Sequence, residues 1–569
     1  MPNNYLRHTS SRLRANTIIS FLLVLAVCSS ARPLSAWQIL DQRPQTASSR
    51  PSNQVQEPSP SASPAATQLK TGATTKSLSE LQARIGEILQ KPELSQALVS
   101  VKVTSLDTGR VLFEDNALKL LRPASNMKVY TVAAALDRLS PDYRYVTSVY
   151  APARPDAAGV ILGDLIIYGR GDPSLGARFN NGDYFKGIDE LANRIVAAGV
   201  KRVEGDLVGD ESYFVGPRYG SGWEWEDLTW YYGAEISALT VNDNALDLFV
   251  KPGLEPGSKA LITTGPPDPL LTIVNQVTTG VKGSRRDLSV HRELGKDVLT
   301  VSGSIAVDDR GYTGGIGISH PALLFVYLLR ASLAQKGVSI SGKSRTIGAT
   351  SQTLLTAGTT IISSGNGAET KESVRTEIAN FQSPPLSLIA AQTLKPSQNL
   401  YTELILRTLG KAVPLPTPAP NSVRTSEDAG LEVIKEFLKS AGIRPDSLVL
   451  NDGSGLSRND MITADATVQL LTFMHQHRHA EVFRAALPVA GVDGTLRNRM
   501  RGTAAENNVR AKTGSLSSAA SLAGYVTTAA GEKLAFSIMV NNYPRDVEPR
   551  AVCIDPIAIL LASFAAKSE

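Results

Sequence analysis

Cysteine is nearly absent: of 569 residues only Cys28 and Cys553 carry a thiol. Cys28 lies in an apolar leader, so a chain cleaved after Ala31 keeps no internal disulfide and must be held by its core alone. Histidine is scarce as well, six in all. His475, His477 and His479 crowd one helix end without a neighbouring acidic signature, which argues against a metal centre. No Gly-x-Ser-x-Gly elbow occurs, which argues against a histidine-assisted serine hydrolase. No dense Lys/Arg tract accompanies the mild net charge of +5, so nucleic acid is not an expected partner, although an anionic envelope polymer suits that balance. The N-terminal apolar run, Ile18 to Val27, is too short to span a bilayer comfortably.

What is present is ample apolar material, 42% of the chain, enough for two or three domains. Arg7, Arg12 and Arg14 precede the apolar run, and Ser29-Ser30-Ala31 and Ala36 offer cleavage points, so residues 1–36 read as a secretory signal peptide. Cys28 follows Val27, a poor fit to a lipoprotein signal. Residues 37–76 are rich in Ser, Pro, Thr and Gln and read as a disordered linker, because such a stretch cannot repay its ordering entropy.

Order is expected from Ser77, with a helix through Leu89, strands at 97–103 and 111–113, and a helix opened by Arg122-Pro123-Ala124-Ser125-Asn126-Met127-Lys128. Between 142 and 375 short β-like segments recur, split by Gly-Asp-Pro and Pro-Gly turns, with helical pieces at 188–198 and 323–336. This reads as a large β-rich inserted region of one or two domains. Trp223 to Tyr232 holds three of the four tryptophans and reads as core or interdomain packing in preference to a sugar-stacking surface. From 376 to 569 helices return and then strands, so 77–141 and 376–569 form one α+β domain, an antiparallel sheet flanked by helices, split by the insert.

Ser125 and Lys128 are three apart on a helix and so share one face. An amine with a lowered pKa can take the serine proton, which removes the need for histidine. A nucleophile so placed still needs a second proton route, a cation for a substrate carboxylate and donors for an oxyanion. Ser-x-Asn supplies the first, and Lys-Thr-Gly on an edge strand the others. Ser-x-Asn occurs at Ser364, Ser397 and Ser457, and Lys-Thr-Gly at Lys70 and Lys512. Lys70 lies in the linker, Ser364 in a Gly/Ser loop and Ser457 in another turn cluster. Ser397-Gln398-Asn399 falls where Pro396 breaks two helices, and Lys512-Thr513-Gly514 precedes two apolar strands. The order Ser-x-x-Lys, Ser-x-Asn, Lys-Thr-Gly is the set shared by penicillin-binding proteins and serine β-lactamases.

Beyond the triplets, Gly169-Arg170-Gly171-Asp172-Pro173, Ser237 to Asn244, Asp452 to Arg458 and Val489 to Leu496 read like family blocks. On these residues the sequence resembles the D-alanyl-D-alanine carboxypeptidase/endopeptidase family, the low-molecular-mass class C penicillin-binding proteins, over roughly 78–562. The resemblance implies a penicillin-binding-protein/β-lactamase-like fold, peptidoglycan stem peptides as substrate, β-lactams as covalent inhibitors and no cofactor. It implies acylation at Ser125 with Lys128 as base, and proton relay and acyl-amide contact from Ser397 and Asn399. Lys512 and Thr513 would bind a terminal carboxylate beside Gly514, with the N–H groups of Ser125 and Ser515 as oxyanion hole and Arg458 as a further substrate contact. Gln398 departs from the Asp frequent at that place. Export across the cytoplasmic membrane of a bacterium, into the periplasm or cell-wall compartment, follows from the leader. A serine β-lactamase is the nearest rival, but no deacylating base equivalent to the class A glutamate is identified. A catalytically silent peptidoglycan-binding protein would show a broken triplet, and all three are intact. Oligomeric state and the order of the two peptidase activities stay open.

Overall fold

A computed structural model describes residues 74–293, 295–348, 375–416 and 424–568 of the chain. The leader and the linker up to residue 73 lie outside the described residues. Ser77 caps the first helix, α1 (Leu78–Leu89), by accepting from the Glu80 N–H. Strands β1 (Leu98–Ser105) and β2 (Val111–Asp115) form a hairpin. Three strands from the far end complete the sheet: β3 (Arg510–Leu516), β4 (Ala519–Thr527) and β5 (Lys533–Asn541). The order is β3-β4-β5-β1-β2, antiparallel throughout. Val101 stands opposite Ile538 and Val103 opposite Phe536, so the two ends of the chain share one sheet.

Alternation along these strands decides what each face packs against. Val101, Val103, Leu534, Phe536, Ile538 and Val540 point to one side, where α1 and a C-terminal helix, α7 (Asp555–Ser563), cover them. Ala523, Tyr525, Ala535 and Met539 point to the other. Against them pack α2 (Met127–Leu139), α3 (Leu386–Leu394), α4 (Asn399–Ala412), α5 (Ser426–Ser440) and α6 (Ala464–Gln476), which contribute to that core. Helix α2 is buried at every position from Met127 to Leu136. A helix apolar all round belongs at the centre of a domain. His477, just past α6, is half-buried against Asp137 near the end of α2, with Nε2 3.0 Å from a carboxylate oxygen.

The intervening segment builds separate sheets. Its largest has five strands in the order 344–347, 207–210, 165–168, 146–151, 376–382. The parallel neighbours 165–168, 207–210 and 344–347 require crossovers, and helices Lys186–Ala197 and Pro321–Gln335 lie in those connections. Two three-stranded sheets, 245–251 with 261–265 and 312–317, and 272–280 with 287–292 and 298–306, complete its larger elements. Strand 376–382 pairs with 146–151, so it belongs with the intervening segment's sheet. We therefore propose that the chain returns to the first domain after 382, later than the boundary at 376 expected from sequence texture.

Phe536 is fully buried in the sheet core. Phe536→Ala should cost about 3–5 kcal/mol, whereas truncating the exposed neighbour Lys533 to alanine should be nearly neutral. Thermal unfolding of both variants checks this; equal midpoints would contradict the packing described.

Candidate active site

The segment before Ser125 is pinned to the sheet. Arg122 donates its N–H to Asn541 Oδ1 at 2.9 Å, and the Asn541 amide returns a bond to the Arg122 carbonyl at 3.2 Å. The Ser521 hydroxyl donates to the Pro123 carbonyl at 2.7 Å. Gly514 permits this approach: a Cβ there would lie 2.1 Å from Ser521 Oγ and 2.5 Å from the Pro123 carbonyl oxygen. From the other side, Gly455 presses on the Ala124 carbonyl, which a Cβ would meet at 1.9 Å. Ala124 to Asn126 form a tight helical turn that runs into α2, so Ser125 and Lys128 share a face.

Lys128 is wholly removed from water. Its Nζ donates to Ser125 Oγ at 3.0 Å, to Asn399 Oδ1 at 2.6 Å and to the Ser454 carbonyl at 2.7 Å. Burial pushes the amine down to about 7, against the pull of Asp452, Glu403 and Asp460. The three acceptors come from α2's own turn, from the first residue of α4 and from the 452–458 turn. The amine is thus held 3.0 Å from a half-buried hydroxyl, within reach for proton transfer.

A second lysine stands opposite. Lys512, fully buried on β3, donates to Ser397 Oγ and to the Thr513 carbonyl, both at 2.8 Å. Ser397 takes a left-handed backbone, φ +65°, between α3 and α4. The Thr513 hydroxyl donates to Thr495 Oγ1 at 2.8 Å. The Ser515 hydroxyl accepts from Arg550 at 2.5 Å. The Asn399 amide is fixed at both ends, accepting from Lys128 and donating to the Tyr232 carbonyl at 2.8 Å. Strand β3 stands at the sheet edge, paired with β4 on one side and, at Arg510, bridged to Val489 on the other.

The structure thus links Ser125, Lys128 and Asn399 in one bonded group and Ser397, Lys512 and Thr513 in another. Arg458 sits elsewhere: its guanidinium pairs with Glu224 at 2.9 Å and Asp227 at 2.8 Å and donates to the Leu456 carbonyl. Those carboxylates belong to the aromatic stretch of the insert, so Arg458, expected from sequence as a substrate contact, also joins the two parts of the chain.

Several participants have no motif of their own. Asp452 organises its turn, accepting from the N–H groups of Ser454, Gly455 and Ser457 and from the Trp223 indole at 2.8 Å. Trp223 thus ties the insert's aromatic stretch to the 452–458 turn, while Trp225 of the same stretch is exposed. Glu403 follows Asn399 by one helical turn, is fully buried and accepts from the Gly453 N–H at 3.1 Å; burial raises its carboxyl well above the usual range. A charged residue in a helix otherwise buried from Asn399 to Leu409 was the available signal.

An antiparallel sheet lies between helical layers and places a serine beside a buried lysine, the arrangement a serine hydrolase can use. The chain belongs to the D-Ala-D-Ala carboxypeptidase 3 (S13) family, whose model matches residues 81–563. It is 36% identical to the D-alanyl-D-alanine carboxypeptidase of Actinomadura sp. (strain R39), over 86% of this chain and 85% of that one. It is 26% identical to the D-alanyl-D-alanine carboxypeptidase DacB of Haemophilus influenzae, over 81% and 88% of the two chains. The crystal structure of penicillin binding protein 4 from that organism shares the fold, with a TM-score of 0.68 at 22% identity over 83% of this chain and 98% of that one.

Asp452→Ala strips the partner from several buried donors and should cost about 3 kcal/mol or more, with Asp452→Asn costing less. Unfolding midpoints test the ranking; an alanine variant as stable as the parent would refute it.

Proposed function

We propose that this protein is a penicillin-sensitive serine DD-peptidase of bacterial peptidoglycan. It cleaves the D-Ala-D-Ala end of a stem peptide as a carboxypeptidase, the corresponding D-Ala–diamino acid cross-link as an endopeptidase, or both. The observation that carries the reading is the 3.0 Å contact between Ser125 Oγ and a wholly buried Lys128 amine that burial lowers to about 7. Family membership and the curated relatives support the substrate class.

The chemistry follows from the two lysines. Lys128 takes the Ser125 proton as Oγ attacks the carbonyl of the penultimate D-alanine. The N–H groups of Ser125 and Ser515 receive the developing oxyanion. Ser397, bonded to Lys512, passes a proton to the leaving amine as the C–N bond breaks. Lys512 and Thr513 bind the terminal carboxylate, and Asn399 holds the acyl amide. Water then hydrolyses the Ser125 ester. A β-lactam carries the same carbonyl and carboxylate and is trapped at the ester stage. The leader implies export to the periplasm or cell-wall compartment; among the described residues no helix is long and apolar enough to cross a membrane.

Labelled penicillin should attach covalently to the purified protein. Ser125→Ala should abolish labelling with its unfolding midpoint unchanged, and labelling that survives would move the nucleophile elsewhere. Release of D-alanine, or of monomers from cross-linked dimers, should accompany the parent enzyme; rapid penicillin turnover without either would make it a β-lactamase.

A further inference from the structure

At the junction between the insert and the first domain, Asn242, Asp243 and Asn244 have φ of 50°, 62° and 48°, three consecutive non-glycine residues in the left-handed region. Such a run is disfavoured for L-residues by roughly 1–2 kcal/mol at each position and persists only where its surroundings enforce it. The surroundings are on hand. Asn242 accepts from the Ala177 N–H at 3.0 Å and donates to the Tyr184 carbonyl at 3.0 Å. Asn244 donates to the Glu235 carbonyl at 2.7 Å. A Cβ on Gly176 would lie 2.9 Å from Asn242 Cα, so the curl is also backed by a glycine.

The curl carries the Asp243 carboxylate to the start of α4. One oxygen accepts from Arg178 at 2.9 and 3.2 Å and from Gln398 Nε2 at 3.2 Å. The other accepts a short bond from the Tyr401 hydroxyl. Gln398 and Tyr401 are three apart and so share a face of α4's first turn. Gln398, buried, also caps that helix: its Oε1 accepts from the Leu400 N–H at 3.1 Å. A glutamine meets both demands, with its oxygen turned to the helix and its nitrogen to the carboxylate. An aspartate in its place could cap the helix but would face Asp243 as a like charge. On either side of Gln398 stand Ser397, itself at φ +65°, and Asn399.

We propose that Asp243 is a positioning residue, supplied by the insert, that sets the Ser397–Asn399 junction through Gln398. It touches neither reacting group. By gripping the residue between them it holds Ser397 Oγ on Lys512 and Asn399 Oδ1 on Lys128, where a displacement of about 1 Å can cost on the order of 100-fold in rate. The proposal rests on the Ser125 acylation reading above.

The test compares the parent, Gln398→Asp, Asp243→Asn and the double variant, each as the full chain, with a fluorescent penicillin. Limiting acylation rate and half-saturating concentration are measured separately, alongside the unfolding midpoint. Gln398→Asp alone should lower the limiting rate by about tenfold or more with half-saturation within about twofold. Adding Asp243→Asn should restore the rate to within about threefold of the parent, because the new amide can donate to the carboxylate introduced by Gln398→Asp, which also gives Arg178 an acceptor there. If Gln398→Asp fails to fold, Tyr401→Phe, which removes a single donor to Asp243, should still slow acylation several-fold. Parent-like rates in Gln398→Asp or Tyr401→Phe, or a double variant no faster than Gln398→Asp, would overturn the proposal. A parent protein that takes up no penicillin would instead remove the acylation reading itself.

Discussion

The structure depends on keeping one amine out of water. Lys128 has no exposed surface, and an ammonium in that position loses its hydration without a carboxylate bonded directly to Nζ. Its bonds go instead to a hydroxyl, an amide oxygen and a backbone carbonyl, all neutral acceptors. Only the ammonium can donate all three; the neutral amine keeps two N–H donors and has a lone pair free to accept the Ser125 hydroxyl proton. The more distant Asp452, Glu403 and Asp460 moderate the shift without reversing it. Burial that lowers the amine to about 7 favours the neutral form a base needs at physiological pH.

Meeting that constraint requires segments far apart in the chain. Ser125 precedes α2, Asn399 begins α4 and Ser454 lies in the turn that Asp452 organises. The insert is bonded to two of the three: the Tyr232 carbonyl holds the Asn399 amide, and the Trp223 indole holds Asp452. Arg458 closes the same seam from the other side through Glu224 and Asp227. The long excursion between α2 and α3 therefore returns to brace the segments around Lys128.

Much of the site was legible in the sequence because its markers are local. Ser125 and Lys128 sit at helical spacing, Pro396 breaks a helix beside Ser397, and Lys512-Thr513-Gly514 heads an apolar strand. The alternation in 534–540 likewise marks a sheet with two covered faces. What was not legible depends on partners distant in the chain. Strand 376–382 has ordinary strand texture, and its pairing with 146–151 rather than with the first sheet leaves no mark on either segment. The Ser454 and Tyr232 carbonyls are invisible because every residue has one. Arg458 lies in a distinctive block, yet nothing in that block marks its carboxylate partners, of which Asp227 is 231 positions away. Gln398 stood out only as a departure from the frequent Asp, and its two hydrogen bonds show what the glutamine does there.

The most direct test of the central claim is the pH dependence of acylation. Lowering the folded pKa of a base leaves it unprotonated above that value and protonated below it. The rate of penicillin acylation should rise about tenfold per pH unit below the transition, bend near 7 and stay level above it. A profile flat through neutrality, or one still rising toward the ordinary lysine range near 10.5, would show that Lys128 is not the neutral amine on which this account depends.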